Sequence, residues 1–220
     1  MTLPTVEHET AANPSHSVIW LHGLGADGND FAPVVPELVD PAWPAIRFIF
    51  PHAPVRPVTI NNGASMRAWY DIAAFDLNAR QDEAGMRTSV AAVEMLIARE
   101  HGRGVTSEHI VLAGFSQGGA IALAAGLGHV EPLAGIIALS TYLPAYATLP
   151  KEHSAANATT PIFWGHGSAD PVVALPRGIE SRDHLIAQGY RVDWHTYSMG
   201  HSVCAEEIAD LRAWLGLRLA

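Results

Sequence analysis

The stretch from residue 110 to residue 119 constrains the fold of this chain more than any other. It reads Ile-Val-Leu-Ala-Gly-Phe-Ser-Gln-Gly-Gly, a short apolar run that leads into a Gly-x-Ser-x-Gly pentad and a series of small residues. A strand, a sharp turn and a helix fit this order, because the two glycines flanking Ser116 avoid clashes in the turn. The pattern predicts a nucleophile elbow that exposes the Ser116 hydroxyl above a sheet.

The region around this motif is also long enough to cross a membrane. Residues 109–130 contain no Asp, Glu, Lys or Arg, and a membrane span needs about 20 apolar residues. Five of these residues are glycine, however, and a β-branched first part gives way to an alanine-rich second part. A buried strand followed by a buried helix accounts for the same composition, so we expect no stable membrane insertion.

Length and composition indicate one domain with a sizeable core. The chain has 220 residues, of which 49% are hydrophobic, and single α/β domains of this size are common. We expect residues 17–220 to form that domain. Residues 1–16 are polar and contain Pro4 and Pro14, which predicts a flexible N-terminal arm.

The charge balance narrows the choice of partners and of location. The formal net charge is −9 with 13 Lys and Arg residues, so little basic surface can neutralise the phosphates of nucleic acids or anionic lipids. Cys204 is the single cysteine, which excludes an internal disulfide. The N-terminal residues lack the pattern of a signal peptide. We therefore expect a cytoplasmic protein with a small neutral or apolar ligand and no nucleic-acid partner.

Short apolar runs alternate with amphipathic stretches along the chain. Besides the central strand, the runs predict strands at 17–21, 46–50, 133–140, 161–164 and 190–197, and the amphipathic stretches predict helices at 30–39, 82–99, 175–188 and 203–217. This order is typical of an α/β fold, in which helices flank both faces of a mostly parallel central sheet. Residues 51–71 contain three prolines and are predicted to form a long functional loop.

The loops that follow the strands carry the candidate catalytic residues, because ligands of open α/β sheets bind beyond the carboxyl ends of the strands. Ser116, Asp170 and His201 each follow a predicted strand. A serine needs a base to remove its proton, and the base needs an acid to orient it. The chain order Ser, Asp, His is the one that α/β-hydrolases use, which predicts a catalytic triad.

Other acids and histidines are less well placed. Asp183 falls inside a predicted helix, and Asp193 and His195 fall inside a predicted strand. His22 and His166 are interpreted as groups that shape loops by bonding to the backbone. The chain has no His-Glu-x-x-His sequence and no paired cysteines, so no metal site is predicted.

A tetrahedral intermediate also needs donors for its oxyanion. The backbone amide of Gln117, at the start of the predicted elbow helix, is one candidate. The amide of Leu24, between two glycines, is the other. This glycine loop lacks the third glycine of a dinucleotide fingerprint and the lysine of a P-loop, so no nucleotide cofactor is predicted.

Six motifs support a family resemblance. They are Leu21 to Phe31, Pro54 to Thr59, Met66 to Asp71, Gly114 to Gly119, His166-Gly167 with Asp170 to Val173, and Gly200 to Ser202. Together they make the chain resemble the bacterial carboxylesterase branch of the phospholipase/carboxylesterase family, relatives of the acyl-protein thioesterases and lysophospholipases. Two departures, at Arg67-Ala68 and at Ser168-Ala169, bear on substrate preference.

The resemblance implies a compact α/β-hydrolase fold without a large lid domain, and often a homodimer. The site residues that it implies are the triad Ser116, Asp170 and His201, the oxyanion donors Leu24 and Gln117, and a hydrophobic acyl groove near Leu24, Trp69 and Val172.

The predicted function is that of a serine carboxylesterase, which hydrolyses short- to medium-chain esters of small molecules through an acyl-enzyme without a cofactor. Two alternatives stay open. The same triad could serve a lysophospholipase or an acyl-protein thioesterase. A non-catalytic binding protein with a hydrolase fold is the other alternative, but such proteins usually lack a member of the triad.

Overall fold

The structure is a computed structural model that describes residues 3–73 and 81–219. Residues 1–2 of the predicted arm, and residues 74–80 and 220 of the predicted domain, lie outside these ranges. The strands within them are β1 (Thr5–Glu9), β2 (His16–Leu21), β3 (Ile46–Pro51), β4 (Val55–Val58), β5 (Ala64–Arg67), β6 (Ile110–Phe115), β7 (Gly135–Leu139), β8 (Ile162–Gly167) and β9 (Val192–Tyr197).

One large sheet organises the described part of the chain. Seven strands form it in the spatial order β1-β3-β2-β6-β7-β8-β9. All neighbouring strands run parallel except β1 and β3, which are antiparallel. Every residue of β2, β3, β7 and β8 is buried, as expected for parallel strands that are covered on both faces. The predicted mostly parallel sheet is confirmed.

Helices cover both faces of this sheet. The helices α1 (Val35–Leu38) and α5 (Ala205–Leu219) pack on one face, and α2 (Glu83–Gly102), α3 (Gln117–Gly128) and α4 (Leu175–Ala187) pack on the other. The residues of α3 from Gln117 to Leu127 are all buried, so burial within the protein explains the uncharged stretch at 109–130. Within residues 3–73 and 81–219, no helix is long and apolar enough to span a membrane.

The prediction of a flexible arm at residues 1–16 is wrong for its described part. Strand β1 lies in this segment and adds an antiparallel edge to the sheet beside β3. Val6 of this strand packs against the core, and the Glu7 carboxylate pairs with Arg99 at 2.8 Å and with Arg103 at 2.9 Å. Both arginines lie at the end of α2, so the edge strand is tied to the body of the domain.

The helix predicted over residues 30–39 is much shorter in the structure. A single turn of 3₁₀ helix at Ala32–Val34 is followed by α1, which is only four residues long. Pro33 and Pro36 lie in the first turns of these two pieces. Proline is tolerated there but breaks a helix interior, so two prolines three residues apart divide the helix.

The predicted loop at residues 51–71 contains a hairpin, formed by β4 and β5. Pro57 is tolerated within β4, because a two-stranded hairpin has only edge strands. The hairpin is anchored to the glycine loop by the Gly25 N–H, which donates to the Arg67 carbonyl at 2.9 Å. The segment therefore has its own structure and a fixed place beside the carboxyl ends of the strands.

A buried carboxyl group lies between α5 and the sheet. Glu207 of α5 is fully buried, and its side-chain oxygens have no hydrogen-bond partner in the described residues. The carboxyl group lies against Gly165 of β8, where a Cβ would overlap its Oε1 atom. Burial, with a smaller contribution from the charge of Asp210, raises the pKa of Glu207 to about 8. The folded protein therefore keeps this carboxyl protonated at neutral pH.

We expect Glu207→Gln to flatten the pH dependence of stability. Between the unfolded pKa of 4.5 and the folded pKa of about 8, the folded state of the wild type binds one more proton than the unfolded state. Its free energy of unfolding therefore falls by about 1.4 kcal/mol per pH unit as pH rises through this window, and then levels off. Glutamine removes this contribution. From pH 5 to pH 8, the free energy of unfolding of the variant should therefore rise by on the order of 3–4 kcal/mol relative to that of the wild type.

Urea unfolding at pH 5, 6, 7 and 8 measures this difference. Glu206→Gln is the matched control, because Glu206 is the neighbouring residue and is exposed. Glu206→Gln should keep the wild-type slope of the free energy of unfolding against pH. An unchanged slope in Glu207→Gln would contradict the assignment of a buried, protonated carboxyl.

Candidate active site

Ser116 lies in the turn between β6 and α3, with φ 53° and ψ −120°. A positive φ is rare for a residue other than glycine and costs on the order of 1–3 kcal/mol. Two hydrogen bonds hold the turn: the Ser116 N–H donates to the Leu139 carbonyl at 2.9 Å, and the Thr141 hydroxyl donates to the Ser116 carbonyl at 2.6 Å. Gly114 and Gly118 are needed because a Cβ on either would overlap neighbouring backbone atoms.

The structure brings Ser116, His201 and Asp170 into one chain of hydrogen bonds. The Ser116 Oγ atom lies 2.9 Å from His201 Nε2, and His201 Nδ1 lies 2.7 Å from Asp170 Oδ2. A carboxylate only accepts hydrogen bonds, so the proton of the neutral imidazole is assigned to Nδ1. This tautomer leaves Nε2 free to accept the proton of the serine hydroxyl.

The Asp170 side chain is completely buried and is fixed by its own loop. Its Oδ1 atom accepts hydrogen bonds from the backbone N–H groups of Val172 and Val173, at 2.8 and 2.9 Å. His166 holds the same loop through a 2.8 Å hydrogen bond between its Nε2 atom and the Val173 carbonyl. Burial lowers the pKa of His166, which favours a neutral ring that donates to this carbonyl. Asp170 therefore reaches His201 in one orientation.

The other acids lie in different surroundings. Asp183 lies on α4 and pairs with Arg182 at 2.7 Å. Asp193 lies on β9 and contacts His195 at 3.0 Å. Neither lines the cavity beside Ser116.

The loop after β2 is held by a buried histidine. The Nδ1 atom of His22 lies 2.7 Å from the Gly23 carbonyl, and its Nε2 atom accepts the Ala53 N–H at 3.1 Å. Burial lowers the pKa of His22, so a neutral ring that donates at Nδ1 and accepts at Nε2 satisfies both contacts. Trp69 adds a third bond, since its indole N–H donates to the His22 carbonyl at 2.8 Å. Leu24 is thereby presented beside Ser116.

The side chain of Gln117 is occupied by the backbone of a neighbouring segment. Its Oε1 atom accepts the Trp69 N–H, and its Nε2 atom donates to the Tyr70 carbonyl, both at 2.8 Å. The backbone N–H of Gln117 belongs to the first turn of α3, where amides have no partner within the helix and the helix dipole is positive. This amide adjoins Ser116 at the positive end of the helix, where a developing negative charge is stabilised.

A cavity of about 160 Å³ opens beside Ser116. Its wall combines apolar residues near the serine with two tyrosines and an arginine. The lining residues are Leu24, Tyr70, Ile72, Ser116, Gln117, Tyr142, Val172, Val173, Ala174 and Arg177. The structure thus places three of the residues predicted for substrate or oxyanion binding, Leu24, Gln117 and Val172, at one cavity with Ser116.

Trp69 does not line this cavity, although the family resemblance implied an acyl groove near it. It is fully buried, and its indole is used to hold the loop after β2. Tyr70, the next residue, lines the cavity instead. Tyr142 could have been expected from its place in the loop after β7, since such loops gather at the site. Arg177 lies on α4, and no motif in the sequence indicated it.

The described residues contain no group of three or more His, Cys, Asp and Glu side chains that could hold a metal ion. What they provide is a hydroxyl, an imidazole and a carboxylate in hydrogen-bond contact beside a largely apolar cavity. In such a series of hydrogen bonds, the imidazole can take the proton of the hydroxyl and thereby prepare the oxygen for attack on a carbonyl.

Comparisons with known proteins identify the family of the chain. A profile of the Phospholipase/Carboxylesterase family matches residues 3–218. The chain is similar to acyl-protein thioesterase 1 of Neurospora crassa, with 43% identity over 100% of this chain and 91% of the relative. The structure is similar to that of SOBER1 from Arabidopsis thaliana, with a TM-score of 0.87 and 31% identity over 93% of this chain and 99% of the other.

The structure is also similar to a second solved structure. Acyl-protein thioesterase 2 of Zea mays has a TM-score of 0.84 and 31% identity, over 98% of this chain and 99% of that one. The fold is the α/β-hydrolase fold, as predicted, and the described residues show no lid domain. The predicted place in a bacterial branch is not confirmed, since the similar acyl-protein thioesterases 1 of Neurospora crassa, Mycosarcoma maydis and Yarrowia lipolytica are fungal. The chain belongs to the phospholipase/carboxylesterase family, as its motifs indicated, and it is a serine hydrolase.

Proposed function

We propose that the protein hydrolyses carboxylic esters of small molecules with short- to medium-chain acyl groups, through an acyl-enzyme on Ser116. The observation that carries the proposal is the continuous hydrogen-bond chain from Asp170 through His201 to Ser116, which ends at a cavity of about 160 Å³. An engineered cavity of about 150 Å³ holds benzene, so this one suits an acyl group of about six carbons. A homodimer and a cytoplasmic location stay predictions.

The reaction begins when Ser116 attacks the acyl carbonyl carbon. His201 Nε2 takes the hydroxyl proton, while Asp170 stabilises the imidazolium through its bond to Nδ1. The carbonyl oxygen becomes an oxyanion, which we assign to the backbone N–H groups of Leu24 and Gln117. His201 then returns its proton to the departing alkoxide, and the acyl group stays on Ser116.

Hydrolysis of the acyl-enzyme repeats these steps with water as the nucleophile. His201 removes a proton from the water as it attacks the ester carbonyl, and Ser116 leaves as the alcohol. Leu24 and Val172 provide apolar surface for the acyl chain during both steps. The oxyanion and the imidazolium therefore form next to groups that are already oriented to stabilise them.

Replacing the nucleophile tests the proposal. We expect Ser116→Ala to lower the turnover of 4-nitrophenyl butyrate by about 10⁶-fold, the loss typical of such triads, because no other hydroxyl is bonded to His201 in the described residues. Initial rates, corrected for spontaneous hydrolysis, measure the effect. Circular dichroism and thermal unfolding should show that the fold persists.

Ser65→Ala is the control, since Ser65 is exposed on β5 and does not line the cavity. It should keep the activity of the wild type. A Ser116→Ala variant that retains more than about a tenth of the turnover would refute the assignment.

A second candidate function is the hydrolysis of thioesters in acylated proteins. It is supported by the names of the relatives in Neurospora crassa and Zea mays, which are both acyl-protein thioesterases. The same triad suits a thioester, because the attacked carbonyl and the oxyanion are the same. A lysophospholipase would also use this chemistry. The three substrates differ mainly in the length of acyl chain that the site must hold.

A series of acyl lengths separates these functions. For 4-nitrophenyl esters and the matching thioesters, we expect kcat/KM to rise with chain length up to about six carbons and then to level off, because the cavity is then full. Each buried methylene adds up to about 0.8 kcal/mol, or roughly fourfold, wherever a groove continues. A continued rise to twelve or sixteen carbons would contradict the short-chain assignment and favour the thioesterase or lysophospholipase.

A further inference from the structure

The wall of the cavity is formed by both apolar and polar side chains. Leu24, Ile72 and Val172 supply apolar surface, whereas Tyr70, Tyr142 and Arg177 supply hydrogen-bond donors. The Tyr70 and Tyr142 hydroxyl oxygens lie 2.7 Å apart. A pocket for a plain hydrocarbon chain needs no such polar group, so this polar part of the wall requires an explanation.

The tyrosine pair leaves one donor without a partner in the pair. When two hydroxyls bond to each other, one proton lies between the oxygens and the other remains available. Burial raises the pKa of both Tyr70 and Tyr142, so both side chains keep their protons at neutral pH. The pair can therefore donate one hydrogen bond to a third group.

Arg177 adds donors and a positive charge. Its guanidinium carbon lies 5.4 Å from the centre of the Tyr142 ring. Its Nε atom is buried and has no hydrogen-bond partner in the described part of the chain. Its Nη1 atom pairs with Glu180 at 3.1 Å, but the Glu180 side chain is 70% exposed, and such surface pairs contribute little. The charge of Arg177 is thus only weakly compensated within the described residues.

The two features fit the same kind of ligand group. Tyrosine hydroxyls and a guanidinium both offer donors, and the guanidinium has no acceptor atom. A carboxylate, which accepts several hydrogen bonds and carries the opposite charge, is the complementary group. An amide or ether oxygen would use the donors but would leave the charge of Arg177 paired only with the exposed Glu180.

We propose that the pocket takes acyl groups whose far end carries a carboxylate, so that half-esters of short dicarboxylic acids are substrates, with Arg177 and the Tyr70–Tyr142 pair as the receptor for the carboxylate. This inference rests on the proposed function, since it names the substrate class of the same site. The apolar residues hold the methylene groups between the two ends, and Ser116 attacks the ester carbonyl.

Two substrates of the same shape test the inference. One is mono-4-nitrophenyl adipate, and the other is 4-nitrophenyl 6-methylheptanoate, in which a branched hydrocarbon end replaces the carboxylate. Adipate is preferred to glutarate, because a glutarate half-ester cyclises readily to its anhydride without an enzyme. The quantity to measure is the ratio of kcat/KM for the anionic substrate to that for the neutral substrate.

In the wild type we expect this ratio to be 1 or more. An apolar pocket would have to strip the carboxylate of water without replacing its hydrogen bonds, which would lower the ratio below about 10⁻². A wild-type ratio below 1, with good hydrolysis of the neutral ester, overturns the inference. The proposed function would survive that result, because hydrolysis of the neutral ester that Ser116→Ala abolishes tests it separately.

Variants of Arg177 locate the receptor. Arg177→Met removes the charge but keeps an apolar stem, and we expect it to lower the ratio by at least about tenfold, the contribution of a charged hydrogen bond. Arg177→Lys keeps the charge and should hold the ratio within about fivefold of the wild type. Tyr142→Phe removes one hydroxyl and should lower the ratio by a smaller factor than Arg177→Met.

Arg182→Met is the matched control. Arg182 lies on the same helix, pairs with Asp183 and packs over the Trp194 ring at 4.9 Å, but it does not line the cavity. Arg182→Met removes a charge of the same kind as Arg177→Met and should leave the ratio unchanged. An unchanged ratio in Arg177→Met, or an equal fall in Arg182→Met, overturns the assignment of Arg177.

Discussion

The close approach of backbone atoms around Ser116 is the constraint on which the site depends. Strand β6 and helix α3 meet at a residue with positive φ, and the turn is possible only where Gly114 and Gly118 leave room for the backbone of adjacent segments. The strain is balanced by hydrogen bonds from β7 and its following loop. Because the turn sits at the centre of the sheet, the loops after the neighbouring strands converge on it.

Each converging loop is held by a buried polar group of its own. His22 fixes the loop after β2, His166 fixes the loop after β8, and Gln117 fixes the segment that carries Trp69 and Tyr70. These side chains hydrogen-bond to backbone atoms in a buried environment, where an unpaired partner would be costly. They leave Ser116, His201 and Asp170 to interact with one another. The precision of the site thus depends on side chains whose own hydrogen bonds are used to hold the surrounding loops in place.

Much of this arrangement could be predicted from the sequence. Ser116, Asp170 and His201 each follow a strand in the parallel part of the sheet, and the carboxyl ends of these strands meet at one edge of it. Strand β1 could not be predicted from its polar residues, because the charged partners of Glu7 are arginines about 90 residues further along the chain. The hairpin of β4 and β5 was missed for a related reason, since prolines break central strands but are tolerated at edges.

The cavity wall was the least predictable part. Trp69 was expected to line the acyl groove, but its indole N–H has a carbonyl partner that only the folded chain supplies. Arg177 belongs to no motif, and its place at the cavity depends on the packing of α4 against the loop after β7. Substrate preference is decided by such residues, which explains why the family and the catalytic residues are easier to predict than the acyl group.

The central claim is that Ser116 forms the covalent bond to the substrate. The most direct measurement is the site of modification by a fluorophosphonate ester, determined by peptide mass spectrometry of the wild-type protein. The account predicts a single adduct on Ser116, with complete labelling and parallel loss of activity. An adduct on another serine, or full labelling with activity retained, would contradict it.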